Sequence, residues 1–142
     1  MSASMPSLEE YQTFIYTLAA SFPLVESSTL VIRWVDEDTR WVIGEVFFAH
    51  DIRLHVSEVI NFSRGAIVRY GYEVYRGDER LYWYDSQPHP DDPSLVSTHP
   101  HHKHVSPDIK HHRLPAPELS FSHPNIPFLI EEIEELLRVP NT

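Results

Sequence analysis

Five runs of β-branched and aromatic residues follow one another between Thr29 and Asp85 with very little chain between them: TLVIRWV, RWVIGEVFF, IRLHVSEVI, GAIVRYGYEVY and RLYWYD. The breaks are short and polar: Asp36-Glu37-Asp38, His50-Asp51, Asn61 to Arg64 and Arg76-Gly77-Asp78. Residues of these types suit the pleated, half-buried surface of a strand. A parallel neighbour would need a crossover of about a dozen residues or more, and none of these breaks has room for one. Consecutive runs must therefore pair antiparallel, as a five-stranded meander. In the third run Ile52, Leu54, Val56 and Ile60 share an apolar face against Arg53, His55 and Ser57. In the fourth, Ala66, Val68, Tyr70, Tyr72 and Val74 share one face, and Ile67, Arg69, Gly71, Glu73 and Tyr75 the other. Such alternation gives one apolar face for helices and one polar, aromatic face.

Helical spacing brackets the meander. Ser7 and Glu10 form a capping-box pattern ahead of Leu8, Tyr11, Ile15, Leu18, Ala19 and Phe22, which predicts a helix over about Leu8–Ala20, ended by Pro23. Near the C-terminus Asn125 is placed as a cap and Pro127 in the first turn. Ile126, Leu129, Ile130, Ile133, Leu136 and Leu137 form the apolar stripe, opposite a solvated acidic face. The expected fold class is α+β: an N-terminal helix, a five-stranded antiparallel meander, a long His/Pro-rich loop and a C-terminal amphipathic helix. A length of 142 residues suits a single domain over 1–142.

The loop, residues 85–123, holds eight of the ten histidines, and THPHHKHVSPDIKHH alone holds six. A loop that long in a compact domain is usually functional or disordered. The chain as a whole carries a formal charge of -10, which argues against a nonspecific coat on nucleic acid. From His99 to Arg113, Lys103, Lys110 and Arg113 stand against Asp108 alone, which makes this stretch locally basic, as a site for a small anion or a short RNA would be. The absence of cysteine excludes disulfides, thiolate metal sites and cysteine nucleophiles. Nothing at the N-terminus reads as a signal peptide and no apolar run approaches the roughly 18 residues of a membrane span, so a cytoplasmic protein without a membrane partner is expected.

Imidazole titrates near neutrality, so two histidines can serve as base and acid in RNA cleavage by the substrate's own 2′-hydroxyl. Lys103 is a natural anion stabiliser there, and strand tyrosines offer flat surfaces for splayed bases. Arg69 can pair with phosphate, or with Glu73 across the strand. No cofactor is expected. A divalent metal bound by loop histidines is the alternative, although the spacing matches no structural zinc signature and no H-E-x-x-H helix is present. A solvated loop without chemistry stands beside both. His50, His55 and His123 are read as structural.

The strand ending in Tyr84-Asp85, the Pro-His-Pro around His89 and the Pro-His-His-Lys-His of residues 100–104 come in a fixed order before the acidic PFLIEEIEELL helix. In this the chain resembles the TumE-like family, toxin components of toxin–antitoxin pairs, over nearly its whole length. Residue by residue the resemblance marks Tyr70, Tyr72, Tyr84, Asp85, His89, His101, His102, Lys103 and His104, with Lys110 to Arg113 as a subgroup feature. It implies a growth-inhibiting toxin neutralised by a cognate, often helix-turn-helix, antitoxin. Together with the chemistry, the expectation is a histidine-dependent, metal-independent ribonuclease. His101, His102, Lys103 and His104 would be catalytic, and Arg69, Tyr70, Tyr72, Tyr84, Asp85 and His89 would bind substrate. The alternatives are a ring nuclease opening cyclic oligoadenylates and a catalytically inert protein-binding subunit. Exposed strand edges suggest a homodimer. The loop Gln87–His112 is expected to lie over the polar face, bringing His101 or His104 near Tyr72, Tyr84 and Arg69.

Overall fold

The computed structural model describes residues 4–86, 102–105, 113–115 and 119–138. Helices α1 (Leu8–Tyr16) and α2 (Leu18–Ser21) precede strands β1 (Ser27–Ser28), β2 (Val31–Trp34), β3 (Thr39–Phe47), β4 (Ile52–Asn61), β5 (Ala66–Arg76) and β6 (Glu79–Asp85). Strands β7 (His102–Val105) and β8 (Arg113–Pro115) follow, then helix α3 (Ile126–Arg138). All pairings are antiparallel, in the order β1-β3-β4-β5-β6-β7-β8, with β2 also on β3. The five expected strands are present as β2 to β6. Two parts of the stretch expected to be loop instead extend the sheet as β7 and β8. Four and three residues are too few to show a period-two pattern; the edge of β6 supplies the pairing for β7, and β7 in turn for β8.

Gly44 is where β1 and β2 part along β3. Its φ is +144°, and a Cβ there would lie 2.7 Å from the Thr29 carbonyl oxygen and 2.8 Å from Leu30 Cα. Only glycine takes this conformation without strain. Gly44→Ala is therefore expected to lower unfolding stability by about 2 kcal/mol, measurable by urea denaturation; an unchanged midpoint would show that the edge relaxes freely.

The N-terminal helix begins as expected. Ser7 Oγ accepts from Glu10 N (3.1 Å), and Ser7 N donates to the Glu10 carboxylate (3.0 Å). It is broken at Thr17, however, rather than running to Ala20. Thr13 and Thr17 turn their hydroxyls back onto the carbonyls of Glu9 and Thr13, a pairing that bends helices. At the other end, α3 buries Ile126, Leu129, Ile130 and Ile133 as its stripe requires. The Asn125 carbonyl accepts from Leu129 N, but the Asn125 side chain is used elsewhere, in the core.

Strict alternation fails at one place in β5. The register shifts between Val59 and Ile60, so that Val59 faces Arg69 but Ile60 faces Ile67. This bulge sends Ile67 into the core (1% exposed) and turns Val68 outward (54%), separating each from the residues with which alternation had grouped it. Beyond the bulge Tyr70, Tyr72 and Val74 point into the core with Leu54, Val56 and Val42, which overturns the expectation that Tyr72 lies beneath the histidine loop on the polar face. No helix among the described residues is long and apolar enough to cross a membrane.

Candidate functional site

Strand register places three rows of side chains on the face opposite the core. The first is Glu45–His55–Glu73–Trp83–His104, running across β3 to β7. The second is Val31–Ile43–Ser57–Gly71–Asp85. The third is Arg33–Trp41–Val59–Arg69. Directly opposed side chains in an antiparallel sheet share a face, so each row is a physical neighbourhood.

Charge in the first row is closely managed. Glu73 accepts from Tyr75 Oη (2.7 Å) and pairs with Arg80 (2.8 Å), while Arg53 pairs with Glu45 (2.7 Å). Burial opposes ionisation of Glu73, but the Tyr75 and Arg80 donors outweigh it and hold the carboxyl below its usual range. The Arg80 guanidinium lies 3.5 Å from the Trp83 ring centroid, and the His104 ring is 4.7 Å from the same indole. His104 Nε2 sits 3.1 Å from Asp85 Oδ2, close enough for an ion pair when the imidazole is protonated. His104 is 2% exposed, whereas the Asp85 side chain is 24% exposed. Of this pair, the carboxylate is the group a substrate can reach.

Gly71 forms a floor beside it. A Cβ built there would meet nothing within 4 Å, so the space above the backbone between Ser57 and Asp85 is open. Among the described side chains of this face, Arg33, Arg53, Arg69 and Arg80 stand against Glu45, Glu73 and Asp85. Two of those arginines are paired. Arg33 and Arg69 have no ion pair among the described residues, so the described side chains of this face carry more positive than negative groups on a strongly acidic chain.

The residues singled out from the sequence are divided by the sheet. Arg69, Asp85 and His104 share the polar face. Tyr70, Tyr72 and Tyr84 lie on the core side, 4%, 0% and 3% exposed. The Tyr72 hydroxyl donates to Glu58 (2.5 Å) and that of Tyr84 to Glu132 (2.7 Å), and the rings of Tyr70 and Tyr72 stack on each other at 4.9 Å. A base has no open ring face to stack on there. Lys103 also turns to the core side, opposite Tyr84, where its ammonium meets Glu132 (3.0 Å) and lies 4.4 Å from the Tyr82 ring centroid. Adjacent residues on a strand point to opposite faces, so Lys103 and His104 cannot converge on one phosphate. The expected approach of His104 to Tyr72 and Tyr84 is replaced by its contact with Asp85 and Trp83. His102 pairs with Asp85 in register, and His89 and His101 lie outside the described residues. Among the described residues, no group of three or more His, Asp or Glu could hold a metal ion.

The family model described as Toxin TumE matches residues 7–137. The chain belongs to the TumE toxin family. No curated protein and no solved structure matches it. The match spans every described strand and nearly all of α3, so β7 and its histidines lie within the TumE domain.

Two features of this TumE chain were not anticipated from the sequence. One is Gly71, a lone glycine in a strand, which commonly marks the close approach of a ligand or another backbone. The other is Glu58, fully buried in the apolar phase of β4. It accepts from Tyr11 Oη and Tyr72 Oη, both at 2.5 Å, and Tyr72 in turn accepts from Asn125 Nδ2 (3.1 Å). The signal was present: Ile52, Leu54, Val56, Glu58 and Ile60 share one phase, and only the glutamate is polar.

Proposed function

We propose that this TumE chain is the toxin of a toxin–antitoxin pair and acts as a metal-independent ribonuclease on the polar face of its sheet. The observation that carries the reading is the accessible Asp85 carboxylate, 3.1 Å from the buried His104 imidazole and beside the open floor at Gly71. In the proposed reaction Asp85 takes the proton of a 2′-hydroxyl, and the resulting oxygen attacks the adjacent phosphorus. Arg69 offsets the charge that develops on the phosphoryl oxygens. The 5′-oxygen leaves with a proton from an imidazolium of the histidine segment, for which His89, His101 and His102 are the candidates. The products are a 2′,3′-cyclic phosphate and a 5′-hydroxyl. His104 acts through Asp85 as a positioning residue. Lys103 has no part in this step, because Glu132 holds it on the other side of the sheet. The proposed partner is a cognate helix-turn-helix antitoxin.

Purified protein is expected to cut single-stranded RNA in EDTA and leave cyclic phosphate ends. Gly71→Leu should fold normally, since its side chain enters open space, yet lose cleavage because it fills the floor. Dependence on added zinc or manganese would move the chemistry to a metal site, and full activity in folded Gly71→Leu would move it off this face.

A further inference from the structure

Only Arg69 of the third row, Arg33–Trp41–Val59–Arg69, enters the proposed reaction step, and the row's composition is unusual for this chain. Arg33 and Arg69 are exposed and have no ion pair among the described residues, while Arg53 and Arg80 on the same face are both neutralised. Between them Trp41 is 38% exposed. Its ring is fixed in place, because the indole Nε1 donates to Ser57 Oγ at 3.1 Å. A large aromatic group left partly in water, yet anchored by its polar atom, is preorganised to receive a flat apolar partner. The next row places the Gly71 floor and Asp85 alongside.

We propose that Arg33, Trp41 and Arg69 form a docking track for single-stranded nucleic acid, with one base stacked on Trp41 and phosphates held by the two arginines. Three strand spacings separate the arginine backbones by about 14 Å, and arginine stems are long enough to lean inward from there to phosphates flanking a stacked base. The track rests on the ribonuclease reading and adds to it the strand-binding surface that the buried tyrosines do not supply. Base stacking on an aromatic ring tolerates any sequence, so the track recognises single strands rather than a particular base order.

The test uses the full chain and a fluorescein-labelled 2′-deoxy oligonucleotide, which lacks the attacking hydroxyl and is bound without being cut. Wild type is expected to bind it, with affinity falling steeply as salt rises. Trp41→Ala should weaken binding about ten-fold or more, the usual effect of losing one stacked base, and Trp41→Phe should recover part of the loss. Arg33→Ala and Arg69→Ala should each flatten the slope of log affinity against log salt by about 0.7. Trp41→Ala is accepted only with a thermal midpoint close to wild type, and the arginine variants probe the same track without touching the Ser57 contact. Unchanged affinity in Trp41→Ala and unchanged salt slopes in the arginine variants would overturn the track. Trp41-dependent binding without any cleavage of the matching RNA would instead sustain the track and remove the ribonuclease.

Discussion

Glu58→Ala is expected to destabilise the fold by about 3–5 kcal/mol, read as a lowered midpoint in urea or heat. Truncation leaves the Tyr11 and Tyr72 hydroxyls buried without their acceptor, and each such orphan costs about 1–3 kcal/mol before the cavity is counted. The pair joins α1 to β4 and β5, and Asn125 extends the connection to the base of α3. Asn125 Oδ1 accepts from Ser120 N, which points its amide nitrogen at Tyr72 and fixes Tyr72 as the donor to Glu58 Oε2. Burial, outweighing the two phenol donors, raises the Glu58 pKa above its ordinary value of 4.5. The folded state then holds this proton more tightly than the unfolded chain. Its stabilising effect is complete below the unfolded value and is lost as pH rises through the folded value. The stability of wild type relative to Glu58→Gln should fall across that window. Parallel pH curves for the two proteins would show that Glu58 is charged in the fold.

Asp85→Asn is expected to slow RNA cleavage about a hundred-fold or more, equivalent to roughly 2.7 kcal/mol of barrier. The change is isosteric, so folding should survive it. His104→Ala should cause a comparable loss, since it removes the group that places the carboxylate. The double variant should be little worse than either single one, because the two act as a unit. Lys103→Ala should leave the rate nearly unchanged despite its place in the densest histidine run. Toxicity offers a parallel readout: cells expressing Asp85→Asn without antitoxin should grow, and cells expressing Lys103→Ala should not. A folded Asp85→Asn protein that still cuts RNA and still arrests growth would remove this pair from the chemistry.

Much of the scaffold was legible because it is written in short-range patterns. Turns too short for crossovers dictated the antiparallel meander, and the period of 3.6 dictated α3. The bulge at Val59/Ile60 was not legible, since one extra residue changes the phase without changing composition. Strands β7 and β8 were missed because their pairing comes from a neighbouring edge, that of β6 for β7 and that of β7 for β8, rather than from their own sequence. The histidine segment drew attention to His104 and Asp85, which the structure brings within 3.1 Å of each other. Its apparent unity was misleading, because strand alternation sends Lys103 to Glu132 and His104 to Trp83. Likewise the tyrosines looked like a stacking surface until their phase placed them in the core, whereas Trp41 and Arg33, in runs read only as strand, lie exposed.

The pH–rate profile for cleavage of a single-stranded RNA by the purified chain, taken in EDTA, bears hardest on the proposed chemistry. A base that must be ionised and an imidazole that must be protonated predict a bell. Asp85→Asn should abolish the acidic limb along with most of the rate, while Lys103→Ala should leave both limbs in place. A flat profile, or no cleavage by the folded protein at any pH, would refute acid–base cleavage on this face.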